Sequence, residues 1–259
     1  MTVPHVLALC ALICAGAKTA AWLLQRRTGN AGIVDAAWAA TLGTLALLIA
    51  EAGDAPRAVR LAIALMGGLW GLRLAAYLWR RNWGAPEDFR YAQLRARWGR
   101  QAQLKLFGFF QFQNVFTLLL AGSAFVPAAY RNDLPPPAAF AAAVALWLAA
   151  VLGEALADAQ MAAFRRDRTQ RGQVCRRGLW RWSRHPNYFF ECVHWCAYVP
   201  LAWGAPHGAW SLLAPGVMAV LLTRISGMPL LETEMARRKA GYAEYIRTTS
   251  ALVPWPPRA

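Results

Sequence analysis

Four groups of polar residues interrupt otherwise apolar sequence, and their side chains suit a large polar ligand. Trp70, Arg73 and Tyr77 stand at i, i+3 and i+7, so they share one helix face. Glu154, Asp158 and Arg165 also keep to one face, and Asn187, Glu191 and His194 repeat the pattern. Gln111, Gln113 and Asn114 form the fourth group, and Asp35 stands alone in an apolar run. Carboxylates accept hydrogen bonds from hydroxyls and amides, while arginine pairs bidentately with phosphate or carboxylate. Arg165, Arg166 and Arg168 follow closely on Asp158, a spacing that suits the phosphates of a nucleotide. Taken singly, each stripe also reads as internal pairing in a helix bundle, and each arginine as an orientation charge meeting anionic lipid. No Gly-x-Gly-x-x-Gly occurs, so a Rossmann site is not indicated. Cys192, His194 and Cys196, at i, i+2 and i+4, do not share a face, and zinc usually takes four ligands; no metal is expected.

The elements that must position these groups are membrane helices. The chain of 259 residues is 58% hydrophobic and 16% charged, well under the charge of a soluble domain. Its mean hydropathy is +0.27. Apolar runs near 20 residues recur, and no Ser/Gly linker divides them, so one all-α membrane domain is expected over 1–259. The net charge of +15 suggests nucleic acid in a soluble protein, but here the arginines lie between apolar runs. The five cysteines form no disulfide-like or zinc-like framework. Residues 1–24 lack the basic start and small-residue site of a signal peptide and read as a first transmembrane helix.

Seven helices are expected, near 3–24, 32–51, 59–79, 104–125, 137–163, 187–203 and 208–226. Arginines crowd the segments 80–105 and 165–184 and the tail, while the alternate loops carry few. The positive-inside rule then puts the N-terminus outside and the C-terminus in the cytoplasm, with Arg57 and Arg60 discordant. With that topology the polar residues all fall in the cytoplasmic half. Ionisable groups at such depths are costly and usually functional. Their common level points to a shared cavity open to the cytoplasm.

The most specific stretch is Gly178-Leu179-Trp180-Arg181-Trp182-Ser183-Arg184-His185-Pro186-Asn187-Tyr188-Phe189-Phe190-Glu191. It resembles the signature of a membrane superfamily that contains steroid 5α-reductases and their bacterial relatives, sterol reductases and isoprenylcysteine carboxyl methyltransferases. The likeness extends to Gly153-Glu154 with Ala157-Asp158, to Trp70-Gly71-Leu72-Arg73-Leu74, and to Glu87-Asp88-Phe89-Arg90-Tyr91. Val34-Asp35-Ala36-Ala37-Trp38 and the tail Ser226-Gly227-Met228-Pro229-Leu230-Leu231-Glu232 are similar as well. These flanking motifs favour the reductase branch.

The resemblance implies NADPH in a seven-helix bundle and hydride transfer to an enone carbon of a flat apolar substrate, probed first with steroids. A glutamate and a tyrosine polarise the carbonyl in the steroid reductases, and Asp35 and Trp70 fall on those positions. An indole N–H donates a hydrogen bond but supplies no acidic proton, so Tyr77, two turns along, is the substitute. Asp35, Trp70 and Tyr77 are therefore the expected catalytic residues. The expected cofactor set is Arg73, Arg90, Glu154, Asp158, Arg165, Arg166, His185, Asn187, Tyr188, Glu191 and Tyr245. Substrate would enter from the bilayer of a bacterial inner membrane and cofactor from the cytoplasm, with membrane lipids as neighbours and no nucleic acid. An S-adenosylmethionine-dependent methyltransferase and a non-catalytic lipid or sterol binder are the alternatives.

Overall fold

A computed structural model gives the fold of residues 1–225 and 227–258. Ser226, which opens the tail motif and ends the expected last helix, and Ala259 lie outside the described residues. The chain is all-helical, with 78% of it in helix and no strand among the described residues. The helices are α1 (Val3–Thr28), α2 (Ile33–Ala52), α3 (Arg57–Asn82), α4 (Phe89–Trp98), α5 (Ala102–Ala129), α6 (Pro137–Arg166), α7 (Pro186–Cys196), α8 (Tyr198–Leu201), α9 (Leu213–Val220), α10 (Met228–Arg238) and α11 (Tyr242–Thr248). Six stretches are long and apolar enough to cross a membrane: Val3–Thr28, Ile33–Ala52, Arg57–Asn82, Phe89–Ala129, Pro137–Arg166 and Gly208–Arg238. Leu12, Leu72, Leu104 and Leu152 on these stretches are each 66% exposed or more, as lipid-facing side chains are. This is an integral membrane architecture.

The segment expected as the sixth span has a different form. It comprises α7, of 11 residues, and α8, of 4. The Ala197 N–H is shared between the carbonyls of Val193 and His194, which tightens the turn. Pro200 has no N–H to give to the Cys196 carbonyl, so a regular helix cannot run through. The last apolar stretch is also interrupted, by a wide turn at Leu221–Ile225 before α10. Gly227 follows that turn because a Cβ there would lie 2.3 Å from the Leu222 carbonyl oxygen.

The chain packs as two compact units, Met1–Ala139 with Leu201–Ala214, and Phe140–Pro200 with Pro215–Ala259. In the first, α2 and α3 meet at glycines. A Cβ on Gly71 would stand 2.7 Å from the Gly43 Cα and 2.9 Å from the Ala39 oxygen. Ala21 of α1, Val34 of α2, Tyr91 of α4 and Leu106 and Phe110 of α5 form a buried cluster. The turn before α2 is pinned from both sides. Asn30 donates to the carbonyls of Asn82 and Ala85, at 3.0 Å each, and Asn82 returns a bond to the Gly32 carbonyl at 2.9 Å. The Glu87 carboxylate accepts from the Ala31 N–H at 2.8 Å and from Arg95 at 2.8 and 3.1 Å. These bonds fix the first turn of α2, where Asp35 lies.

In the second unit, the Phe190 ring lies against Gly153, where a Cβ would be 2.3 Å away, so α7 packs directly on α6. The segment before α7 is held to α6 by Trp180 Nε1 donating to the Ala157 carbonyl at 3.0 Å and by the Leu179 N–H donating to Gln160 at 2.9 Å. Pro186 starts α7, where a missing N–H costs nothing. The tail closes over the same segment. Arg184 N–H donates to the Ser250 carbonyl at 2.8 Å and Ser183 Oγ to the Leu252 carbonyl at 2.8 Å.

Candidate functional site

In the first unit the chemistry gathers around Asp35. One of its carboxylate oxygens accepts from the Tyr91 hydroxyl at 2.6 Å, the other from Arg90 Nη2 at 3.1 Å. Arg90 also donates to Asp88 through Nε at 2.9 Å and Nη2 at 3.2 Å, and Arg81 adds a bond to Asp88 at 3.4 Å. Asp88 in turn caps α4 by accepting from the Arg90 N–H at 3.0 Å. The cap therefore places both Arg90 and Tyr91 on the first turn of α4, with their polar ends on Asp35. Burial raises the Asp88 carboxyl, but the hydrogen bonds and charge of Arg90, helped by Arg81, bring it below its ordinary value. Tyr91 is buried, 4% exposed, so its hydroxyl lies in a water-poor setting.

Trp70 is fully buried and meets Trp38 edge-on, with ring centroids 6.1 Å apart. Trp38 lies three residues after Asp35 on the same side of α2. Arg73 and Tyr77 are half-buried on α3, one and two turns along from Trp70. The phenol hydrogen-bonded to Asp35 is that of Tyr91 on α4. In the sequence Tyr91 stands out only as the end of the Glu87–Tyr91 motif. Asp88 as an N-cap, followed by the amphipathic run Phe89–Trp98, was the available signal of a short helix there.

In the second unit the chemistry gathers around Glu232 of α10. Its carboxylate accepts from Arg184 at 2.7 and 3.2 Å and from His185 Nε2 at 2.9 Å. Arg184 also donates to the Ile246 carbonyl at 2.9 Å. The His185 ring stacks on Tyr188, with centroids 5.2 Å apart and planes 8° from parallel. Glu191 accepts from Trp195 Nε1 at 2.9 Å, while Tyr198 and His194 are linked at 3.3 Å. Asn187 is half-buried on the first turn of α7. Glu154 and Asp158 are buried on α6, and Arg165 and Arg166 are exposed at its end. Tyr245 donates to the Ser183 carbonyl at 3.2 Å and to that of Trp180. Burial, with Tyr242 beside it, pushes the Tyr245 hydroxyl well up, and burial pushes Tyr242 up to about 12. Both tyrosines therefore stay protonated at physiological pH, and Tyr245 acts as a donor.

Outside the spans, Lys239 donates to the Gln173 carbonyl at 2.9 Å and lies over the Phe164 ring. Burial lowers its ammonium pKa, and the charge of Arg165 lowers it further. Two cations are thereby collected at one place. Arg184, part of the Gly178–Glu191 motif and one of the arginines of the 165–184 segment, is a buried anchor, a role that its spacing does not indicate. Among the described residues no three His, Cys, Asp or Glu side chains converge as a metal-binding group.

The model of one family matches residues 21–249, and its description is "Protein of unknown function (DUF1295)". Comparison with curated proteins and with solved structures finds no match. The matched region takes in both the Asp35 and the Glu232 clusters and every residue expected at a site. With nearly its whole length matched, the chain belongs to the DUF1295 family, a family of the steroid 5α-reductase-like superfamily.

Proposed function

We propose that this chain is an NADPH-dependent membrane reductase that saturates an activated carbon–carbon double bond in a lipophilic, steroid-like enone. The observation that carries the reading is the Tyr91 hydroxyl on Asp35 at 2.6 Å, with Arg90 on the other carboxylate oxygen. Reduction of an enone builds negative charge on the carbonyl oxygen, which calls for a positioned donor there. Trp70 can donate a hydrogen bond but no acidic proton, whereas a phenol can give both. Asp35 fixes the phenol, and Arg90, ion-paired to Asp35, adds positive potential beside it. When substrate binds, the Tyr91 O–H would leave Asp35, which Arg90 still holds, and donate to the substrate carbonyl oxygen as hydride adds and enolate charge develops there.

NADPH supplies the hydride when bound. The residues present suit it. Arg165 and Arg166 are exposed, with no carboxylate within salt-bridge reach among the described residues, and Lys239 adds a third cation beside Arg165. Such groups suit the phosphates, and the buried carboxylates Asp158 and Glu191 suit ribose hydroxyls or the carboxamide. The same reading puts the basic segments, the C-terminus and the cofactor in the cytoplasm of a bacterium. It puts the N-terminus outside and gives residues 186–201 the remaining crossing of seven.

Two sets of substitutions test the proposal. Asp35→Ala and Tyr91→Phe should lower the rate of enone reduction about 10²–10⁴-fold, the usual contribution of a positioned acid, while NADPH still binds. Glu191→Ala and Arg165→Ala should instead weaken NADPH. Undiminished turnover in Tyr91→Phe would remove the donor role, and normal NADPH affinity in both of the latter would remove the cofactor site.

A further inference from the structure

The tail of the second unit encloses a cavity of about 210 Å³, walled by Arg184, Arg247, Thr249, Ser250, Trp255 and Arg258 among others. Arg184 is committed to Glu232 and to tail carbonyls. Arg247 and Arg258 have no carboxylate within salt-bridge reach among the described residues, and both border one hollow. The hollow is held open by backbone bonds, with Trp255 N–H donating to the Trp182 carbonyl at 2.9 Å and Arg258 N–H to that of Thr248 at 2.8 Å. The first of these bonds joins the backbones of two large exposed aromatic residues, Trp182 41% and Trp255 66% exposed. Arg181 lies over the Trp182 ring at 6.0 Å.

Exposed indoles are ill suited to bulk water, and with arginines close by in the fold they suit the headgroup level of a bilayer. There the ring meets acyl chain and the cation meets phosphate. A hollow of this size takes a phosphate and glycerol but no acyl chain, which would run along the indoles. We propose that this cavity binds the phosphate of an anionic membrane phospholipid, with Arg247 and Arg258 as its cationic wall and Trp182 and Trp255 as its apolar rim. None of the residues proposed to hold the cofactor lines this cavity, and the proposal does not depend on the reductase reading.

The test is the thermal midpoint of the full chain in uncharged detergent, with phosphatidylglycerol, phosphatidylcholine, inorganic phosphate or NADPH added separately. Phosphatidylglycerol should raise the midpoint at least twice as far as phosphatidylcholine or inorganic phosphate at the same concentration. R247Q/R258Q should lose at least half of that increment and keep whatever NADPH gives; R247K/R258K should retain most of it, and W255A should lose part. An unchanged phosphatidylglycerol increment in R247Q/R258Q would overturn the proposal. So would inorganic phosphate reproducing the whole effect, or an NADPH increment that falls together with the lipid one, since the cavity would then belong to the cofactor. Should R247Q/R258Q not fold, R258Q alone, near the end of the tail, carries the same comparison.

Discussion

Asp35 takes its meaning from three neighbours that are distant in sequence or hidden in a loop motif. Arg90 bridges it to Asp88, and Tyr91 occupies its second oxygen. The depressed Asp88 carboxyl has a consequence for pH. Its ion pairs add stability above its ordinary value of 3.8, and that stability is lost as the pH falls through the lower folded pKa. Asp88→Asn should therefore lower the melting temperature at neutral pH and flatten its decline in acid. Parallel melting curves for variant and parent across that range would contradict it. Asp35 was legible in the sequence because a carboxylate in an apolar run is conspicuous. Tyr91 was not, because its partner is set by a short helix whose cap, Asp88, looks like any loop acid. Glu232 and Arg184 were obscure for a related reason: their bond spans 48 residues, and no spacing rule reaches that far.

Among elements, α2 and α3 are tied by the absence of side chains. Gly71 and Gly43 let the backbones touch, and close contact replaces the hydrophobic drive that lipid does not supply between helices. Gly71→Ala should cost about 1–3 kcal/mol, as overpacking does, and Gly71→Leu should abolish a monodisperse detergent-solubilised protein. Thermal midpoints and gel filtration read both, and a neutral Gly71→Ala would show that the contact is loose. In the second unit Glu232 holds Arg184 and His185, so α10 and the segment before α7 depend on one carboxylate. Glu232→Ala strands a buried guanidinium and should cost on the order of 3 kcal/mol, seen as a lower melting temperature. Long apolar helices were legible from composition within a few residues at most ends. The division of 186–201 into α7 and α8 turns on Pro200 and on a shared hydrogen bond at Ala197, which hydropathy does not register.

For the whole molecule, the six long apolar stretches make a membrane protein, and the uneven distribution of arginine sets its proposed orientation. A fluorescent reporter fused to the C-terminus should light up on the cytoplasmic side, and a reporter that folds only outside should stay silent there; the reverse pattern would invert the proposed topology. The most direct measurement on the central claim is cofactor binding to the purified chain, with NADPH, NADH and S-adenosylmethionine titrated separately against thermal stability. A ligand selective for the native state stabilises it by about 2.7 kcal/mol at a hundredfold excess over its Kd. NADPH should raise the midpoint, with Arg165→Ala and Glu191→Ala shifting the titration to higher concentration and S-adenosylmethionine giving no rise. A rise with S-adenosylmethionine alone, or none with NADPH in a protein that still melts cooperatively, would contradict the reductase reading.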